Sequence, residues 1–412
     1  MTVTITKQSE DYLDALAKVL EIPISRYEQA EKRYKSLGQW FHRDGSCVRH
    51  LEPDVFVQGS FRLGTVIKPH SAEEEYDVDC ACNLNNLDKS NLTQARLKEL
   101  LGHEVKLYRE SKGISKEVHE GRRCWRLDYA DGAQFHMDIV PCIPNGDDQR
   151  RLLEDSRLDA QFSDTAVAIT DNEVTPQYYQ ITNDWPRSNP RGYAEWFKSR
   201  MKEIFERRRQ KVLDEVRSDG IITGSVEDIP TYRVRTPLQS AIMILKRHRD
   251  IMFADDPKNK PISIIISTLA AHAYRGEETI GLALLSILSR MQDAIDHDGK
   301  KYIIRNPTDA LENFADKWES HPERAEAFFD WLKEARENFR EAGRLVEHRR
   351  ISSVLASRVG RDLTDQVSTS INSSSSVGGG LLSAATAASA LSASNVSFSD
   401  EPRTPKKPDG FA

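Results

Sequence analysis

Three aspartates in this sequence have the types of neighbour and the spacing that suit catalytic chemistry. Asp77 and Asp79 stand two apart in the segment YDVDCAC, and Asp138 lies in a second apolar segment, FHMDIVP. Side chains two positions apart along a β-strand project from the same face. Carboxylates that converge from adjacent strands form a cage for hard cations such as Mg²⁺. Two such ions can activate an attacking hydroxyl and stabilise a leaving pyrophosphate.

A glycine and a serine precede this pair in the chain. Gly59 and Ser60 stand inside the segment VFVQGSFRLGT, which predicts a strand, a glycine turn and the start of a short helix. Backbone N–H groups and a hydroxyl at such a turn can bind triphosphate oxygens, and a helix N-terminus adds a partial positive charge. We therefore predict a phosphate-binding turn beside the aspartates.

Each of these features taken alone has a simpler explanation. An Asp-X-Asp pair is usually a solvated strand edge, Gly-Ser is an ordinary turn, and Asp138 alone could be a structural carboxylate. The order Gly-Ser, Asp-Val-Asp and then an aspartate within an apolar strand is far more specific than any single part. We interpret the set as an active site.

The elements that position these residues are predicted to form a mixed α/β region. Apolar alternation predicts strands at 76–82, 123–129 and 134–140. The segment 54–67 predicts a strand, a glycine turn and a short helical start, and the segment 91–120 has a helical pattern. Residues 7–41 predict a helix that is interrupted at Pro23. After about residue 190 the pattern is almost wholly helical, with its clearest helices at 236–253, 263–275, 281–295 and 321–344.

Composition changes sharply near the C-terminus. Residues 368–396 are dominated by small and polar residues and include SSSSVGGG, so they offer too little apolar area to offset chain entropy. The predicted class is therefore α+β, a mixed sheet with helices followed by a helical lobe and a disordered tail. The predicted domain ranges are 1–190, 191–362 and 363–412.

Composition and charge exclude several classes of protein. Charged residues make up 30% of the 412 residues, and no apolar run approaches the roughly 20 residues that span a bilayer. The N-terminus has no signal-peptide pattern, and the five cysteines lack zinc-site spacing, so we expect a soluble, cytoplasmic protein with reduced thiols. A net charge of −6 disfavours nucleic-acid coating. The basic stretch 200–211 is interleaved with glutamates, which favours an exposed helix.

These motifs resemble the DNA polymerase β-like nucleotidyltransferase superfamily. Within it, the chain resembles the bacterial cGAS/DncV-like nucleotidyltransferases (CD-NTases), which make the signal molecules of CBASS antiphage systems. The segments TPLQSAIMILKRHRDIMF, PISIIISTLAAHAY and RNPTDALENFADKW are similar to that family's helical lobe and lid. The resemblance covers residues 10–350, and it implies a polymerase β-like core whose helical lobe closes the nucleotide pocket.

The resemblance also implies roles for individual residues. Asp77, Asp79 and Asp138 would hold two Mg²⁺ ions, with Mn²⁺ as a substitute, and Asp138 would help to deprotonate the attacking ribose hydroxyl. The residues that would bind nucleotide are Gln58, Gly59, Ser60, Lys246, Ser263 and Arg126. Among them, Lys246 and Ser263 would bind the donor triphosphate, and Arg126 a base or phosphate. Two simpler interpretations stay open, a surface lysine at Lys246 and a plain helix N-cap at Ser263.

The activity implied is the condensation of ATP, GTP or other NTPs into a cyclic or short linear oligonucleotide messenger, with release of pyrophosphate. The messenger would act on a downstream effector. Base preference, linkage and ring size stay open. One alternative is a template-free transferase that modifies RNA, a protein or a small molecule. A second alternative is a catalytically silent nucleotide-binding scaffold.

The end of the chain suggests a further partner. The ending PDGFA on a proline-bearing segment resembles the C-termini that ubiquitin-like E1/E2 ligation proteins join to a target in CBASS operons. A ligase cleft needs an extended chain end, which a disordered tail provides. A terminus without such a role is the other interpretation.

Overall fold

The computed structural model describes residues 5–69, 76–129, 135–218 and 234–376. The chain divides into two compact units. The first, here called the sheet unit, contains Pro23–Arg62 and Pro69–Ala194. The second, here called the helical unit, contains Met1–Ile22, Leu63–Lys68 and Glu195–Ser394.

A seven-stranded mixed sheet forms the centre of the sheet unit. Its strands are β1 (Pro53–Val57), β2 (Tyr76–Leu84), β3 (His119–Glu120), β4 (Trp125–Asp128), β5 (Phe135–Pro144), β6 (Val167–Ile169) and β7 (Arg187–Ser188). The strand order is β1-β2-β5-β4-β3, and β6 pairs with both β5 and β7. The strands β2 and β5 are parallel, whereas the other pairings in this sheet are antiparallel.

One face of this sheet is apolar because every second residue of its central strands is apolar. Val78 and Cys80 of β2, and Met137 and Ile139 of β5, have no exposed surface. The 18-residue helix α4 (Gln94–Ser111) contacts β4 and β5. It contributes four fully buried hydrophobic side chains, those of Leu97, Leu101, Val105 and Tyr108. The other face of the same strands carries the aspartates.

The sheet unit also contains shorter or peripheral helices. Its helices are α2 (Ile24–Phe41), α3 (Gly59–Leu63), α4 (Gln94–Ser111) and α5 (Gly146–Asp155). The last residue of α3 belongs to the helical unit by its contacts. Thr93 caps the N-terminus of α4, where its hydroxyl accepts a hydrogen bond from Arg96 N.

The helical unit is built around the helix Pro237–Met252, of which 13 residues are buried. Its helices are α1 (Lys7–Leu20), α6 (Pro190–Ser199, shared with the sheet unit), α7 (Lys202–Ser218), α8 (Pro237–Met252), α9 (Ser263–Ala273), α10 (Ile280–Arg290), α11 (Lys317–Ser320), α12 (Pro322–Gly343), α13 (His348–Val359) and α14 (Arg361–Ser376). A capping box at Thr236 and Gln239 fixes the start of α8. The helices α1, α9, α10, α12 and α13 all contact α8.

Most strands and helices predicted from periodicity are confirmed, with ends that shift by a few residues. The interrupted N-terminal helix is present as α1 and α2. Two regions differ. The helical pattern of 91–120 forms a helix only over Gln94–Ser111, and its end contains the strand β3. Residues within the predicted helical lobe form two short hairpins. These hairpins pair β8 (Asp296–His297) with β9 (Tyr302–Ile303), and β10 (Arg305–Asn306) with β11 (Asp309–Asn313).

The predicted domain ranges need two corrections. The N-terminal helix α1 belongs to the helical unit, since it contacts α8, α10 and α14. The tail does not begin at residue 363, because α14 continues to Ser376. Leu363 and Val367 are buried, and α14 packs against α1 and α13, which supplies the apolar contact that its own composition lacks. Residues 377–412 lie outside the described part of the chain.

The state of the cysteines and the lengths of the described helices can be compared with the predictions from sequence. All five cysteines are free thiols, and Cys80, Cys82 and Cys142 are buried. Among the described residues, every helix is too short or too polar to cross a bilayer.

The close approach of α4 to β4 yields a stability prediction. A Cβ added at Gly102 of α4 would overlap the indole ring of Trp125 on β4. We expect Gly102→Ala to lower the free energy of unfolding by about 1–3 kcal/mol, as overpacking does. Thermal or urea denaturation monitored by circular dichroism measures this change.

Gly38 in the interior of α2 provides the control. A Cβ at Gly38 would make only ordinary contact with Val55. Gly38→Ala is therefore expected to raise stability by roughly 0.5–1 kcal/mol, through helix propensity. Equal effects of the two substitutions would contradict the packing of α4 on Trp125.

Candidate functional site

The register between β2 and β5 brings the predicted aspartates together. Asp79 lies directly opposite Asp138, and Asp77 lies opposite His136. Residues opposite each other in paired strands project from the same face of the sheet. Because Asp77 and Asp79 alternate with buried residues, all four side chains lie on the face away from α4.

The turn that follows β1 lies against one of these carboxylates. Gln58 N donates a hydrogen bond to the backbone oxygen of Asp79, at 2.8 Å. Gly59 has a φ of 62°, and a Cβ built on it would overlap Asp79 Oδ2. Only glycine suits this position, since it must adopt a left-handed conformation and leave room for the carboxylate. Ser60, half-buried, is the second residue of α3.

An arginine on the neighbouring strand binds the third aspartate. Arg126 of β4 lies opposite Asp138 in the antiparallel register of β4 with β5. Its Nε lies 3.0 Å from Asp138 Oδ1, and its Nη2 lies 3.2 Å from Oδ2. Both carboxylate oxygens therefore accept hydrogen bonds from one guanidinium, which is the strong bidentate form of this ion pair. This contact raises the pKa of Arg126, which stays charged.

A histidine binds the first aspartate in a similar way. His136 Nε2 lies 2.7 Å from Asp77 Oδ1. This hydrogen bond holds the pKa of Asp77 below its usual range, and it raises the pKa of His136. The two effects agree in sign, because a proton on the imidazole and a charge on the carboxylate stabilise each other.

These residues fit a divalent cation by their chemistry, although they are not arranged as a finished metal site. Within the described ranges, no three His, Cys, Asp or Glu side chains already stand as a ligand cluster. Asp138 and Asp77 face Arg126 and His136 instead. The donor set nevertheless consists of carboxylate oxygens from two paired strands, the ligand type that Mg²⁺ prefers.

The face that carries the aspartates becomes apolar further along the same strands. Ala81 and Val140 follow Asp79 and Asp138 by two positions and lie opposite each other. They belong to a cluster with Phe56, Cys142, Val167 and Ile169. This cluster fixes β1, β2, β5 and β6 against each other next to the acidic end of the face.

In the helical unit, Lys246 is buried rather than on the surface. It is 6% exposed, and its Nζ lies 3.1 Å from the backbone oxygen of Thr65 and 3.4 Å from Thr65 Oγ1. The surface-lysine interpretation is therefore wrong. Other polar side chains around α8 bind the same chain segment, which follows α3 directly: Arg235 binds Gly64 O, Gln239 binds Leu63 O and Arg247 binds Lys68 O.

Ser263 is the first residue of α9, and its position corrects one interpretation. The N-cap of α9 is Ile262, so Ser263 is not the N-cap. The hydroxyl of Ser263 accepts a hydrogen bond from Arg249 Nη1 at 2.8 Å, and Arg249 also binds Asp250. The predicted phosphate contacts of Lys246 and Ser263 stay predictions.

Two residues of the aspartate-bearing face, His136 and Asp128, were not predicted from the sequence. Asp128 of β4 lies opposite His136, in the same register that pairs Arg126 with Asp138. The sequence does indicate His136, because it precedes Asp138 by two positions and side chains two positions apart on a strand project from the same face. Asp128 could not be found in this way, because local spacing does not show that β4 pairs with β5.

Comparisons with known proteins show what this chain is similar to. Residues 53–141, which contain β1 to the middle of β5, match the family described as "Cyclic GMP-AMP synthase DncV-like, nucleotidyltransferase domain". A protein of Roseivirga ehrenbergii named "c-di-GMP synthase" is 28% identical over 81% of this chain and 79% of its own length. "Cyclic dinucleotide synthase CdnG" of Bradyrhizobium diazoefficiens is 25% identical over 75% of this chain and 70% of its own.

A solved structure has the same fold. The CD-NTase CdnG of Bradyrhizobium diazoefficiens, determined in complex with GTP, superposes with a TM-score of 0.64 at 22% identity. The match covers 87% of this chain and 97% of that chain. The α+β class and the polymerase β-like fold predicted from the sequence are thereby confirmed.

The contact between Gly59 and Asp79 yields a prediction for the site. Gly59→Ala would add backbone strain and displace the Asp79 carboxylate. A catalytic group displaced by about 1 Å can lower the rate about 100-fold. We expect a loss of nucleotidyl transfer of about that size, measured as consumption of radiolabelled nucleoside triphosphates.

Gly113 serves as the matched control. It has a φ of 63°, and a Cβ there would meet nothing within 4 Å. Gly113→Ala thus introduces the same backbone strain, about 1 kcal/mol, without displacing a side chain. Similar activity of the two variants would contradict a role for the Gly59 turn in placing Asp79.

Proposed function

We propose that this chain, whose residues 53–141 match the DncV-like nucleotidyltransferase domain, condenses nucleoside triphosphates into a cyclic dinucleotide. We propose GTP as a substrate and a c-di-GMP-type molecule as the main product. The support is the name of the Roseivirga relative, whose similarity extends over 81% of this chain rather than over the matched domain alone.

One observation carries this proposal. The parallel register places Asp79 opposite Asp138, and the backbone turn at Gly59 lies directly against the Asp79 carboxylate. Two carboxylates beside a turn with backbone N–H groups and a serine hydroxyl suit a triphosphate and its cation.

Asp77, Asp79 and Asp138 would hold two Mg²⁺ ions, or Mn²⁺ in their place. The ions would neutralise the charge of the phosphate oxygens and of the leaving pyrophosphate. Gln58, Gly59 and Ser60 would bind the donor triphosphate through the turn. Lys246 and Ser263 are proposed for the same triphosphate on the resemblance alone.

The transfer needs the chain to position two nucleotides and to accept one proton. The hydroxyl oxygen of the acceptor ribose forms a bond to the α-phosphorus of the donor, and the bond from that phosphorus to pyrophosphate breaks. Asp138 would accept the hydroxyl proton, since its carboxylate lies at the centre of the strand arrangement. A second transfer of the same kind would close the ring. The enzyme contributes position and charge rather than a covalent intermediate.

The biological role is proposed on the resemblance as well. The cyclic product would act on a downstream effector in antiphage defence. Conjugation of the C-terminus by a ubiquitin-like E1/E2 protein stays a prediction, because the terminal segment lies outside the described residues.

A product assay tests the proposed activity. Purified protein incubated with Mg²⁺ and the four NTPs is expected to yield a phosphatase-resistant cyclic dinucleotide, identified by mass spectrometry. Asp79→Asn is expected to lower the yield at least about 100-fold, because it removes a charged ligand of the cation. Chelation of the metal with EDTA should do the same.

Asp147→Asn is the matched control for the aspartate variant. Asp147 lies on α5 of the sheet unit, and its side chain is 87% exposed, so the variant should retain full activity. Transfer to added RNA but not between free NTPs would replace the proposal with an RNA transferase. Nucleotide binding without any transfer would indicate a silent scaffold.

A further inference from the structure

The ion pair between Arg126 and Asp138 has a consequence for how the site is loaded. Arg126 occupies both oxygens of the carboxylate, with distances of 3.0 and 3.2 Å. The proposed function requires the same oxygens for a cation and for the proton of the ribose hydroxyl. A guanidinium and a divalent cation repel each other at such short range, so the two partners of Asp138 compete.

The guanidinium is the more exposed partner of this ion pair. The side chain of Arg126 is 45% exposed, whereas that of Asp138 is only 19% exposed. Arg126 projects from β4, whose outer neighbour β3 has two residues, both of them exposed. The Asp138 carboxylate is therefore held more firmly by its surroundings than the Arg126 side chain.

A nucleotide offers the arginine another partner. The fork of guanidinium N–H groups matches phosphate oxygens as well as it matches a carboxylate. A triphosphate bound at the Gly59 turn would arrive on the face of the sheet from which Arg126 projects, since Asp79, Asp138 and Arg126 share that face. The guanidinium that leaves Asp138 would thus bind a phosphate of the substrate.

We propose that Arg126 is a positioning residue that holds Asp138 while the site is empty and passes to a nucleotide phosphate when substrate and cation bind together. This inference rests on the proposed function. The ion pair affects the affinity of the site for the cation. A cation that binds alone must displace Arg126 from Asp138, whereas a bound nucleotide draws Arg126 away and removes the competition for this carboxylate. Cation and nucleotide therefore bind cooperatively, and part of the coupling depends on one side chain.

A static role for Arg126 makes the opposite prediction. An arginine that only orients Asp138 would improve the metal site, so its removal would weaken cation binding or leave it unchanged. The change in cation affinity separates the two roles only together with the change in the gain caused by nucleotide. Loss of a static positive charge raises the cation affinity but leaves that gain unchanged.

Manganese provides the probe. Free Mn²⁺ is measured by electron paramagnetic resonance during titration of the full chain, with and without a non-hydrolysable GTP analogue. The variants are Arg126→Ala, Arg126→Gln and Arg126→Lys, and Arg96→Ala is the control. Arg96 forms an exposed ion pair with Glu99 on α4 of the same unit. Circular dichroism verifies that each variant is folded.

We expect Arg126→Ala and Arg126→Gln to bind Mn²⁺ alone about three- to tenfold more tightly than the wild type, the range for a half-exposed charged hydrogen bond. The gain in affinity caused by the nucleotide should shrink by the same factor. Arg126→Lys should fall between, because lysine keeps the charge without the fork. Arg96→Ala should match the wild type.

Unchanged or weaker Mn²⁺ binding by folded Arg126→Ala and Arg126→Gln, or tighter binding with an unchanged gain from the nucleotide, would overturn the inference. The proposed function fails in a different way: Asp79→Asn would then bind Mn²⁺ as tightly as the wild type, because the carboxylates would not be its ligands. The titrations thus separate a wrong assignment of the metal site from a wrong role for Arg126.

Discussion

The parallel pairing of β2 with β5 is the interaction on which the rest of the site depends. It sets Asp79 against Asp138, and a slip of one residue would turn every side chain of one strand to the other face. Such a slip would place Asp138 in the apolar layer under α4 and expose Met137. Burying a carboxylate there without a partner is costly. The same alternation that forms the core therefore holds the catalytic register in place.

The sheet unit compensates the charge of its acidic residues with basic residues from the same strands. Arg126 and His136 each bind one aspartate, and both come from β4 or β5. Carboxylates grouped on one face repel each other unless cations or basic side chains lie between them. This compensation lets the acidic face fold without a cation.

The helical unit uses buried polar side chains for a different purpose. The run from Lys246 to Arg249 on α8 is almost wholly buried, although its composition suggests a surface. Lys246, Arg247 and Gln239 bind backbone oxygens of the segment Leu63–Lys68, most of which lies outside helices and strands. Buried charged groups need such hydrogen bonds. The segment that leaves the Gly-Ser turn is thus fixed by α8.

The sequence alone determined which face of each strand carries the aspartates, where the main helices lie and where a glycine turn precedes them, because these features depend on spacing within short segments. It did not determine that β5 is the parallel neighbour of β2, that Arg126 binds Asp138, or that Lys246 is buried against Thr65. Composition predicted disorder from residue 363, yet contacts with α1 and α13 extend α14 to Ser376. Tertiary structure decided these points, since each one depends on residues that are distant in the chain and meet only after folding.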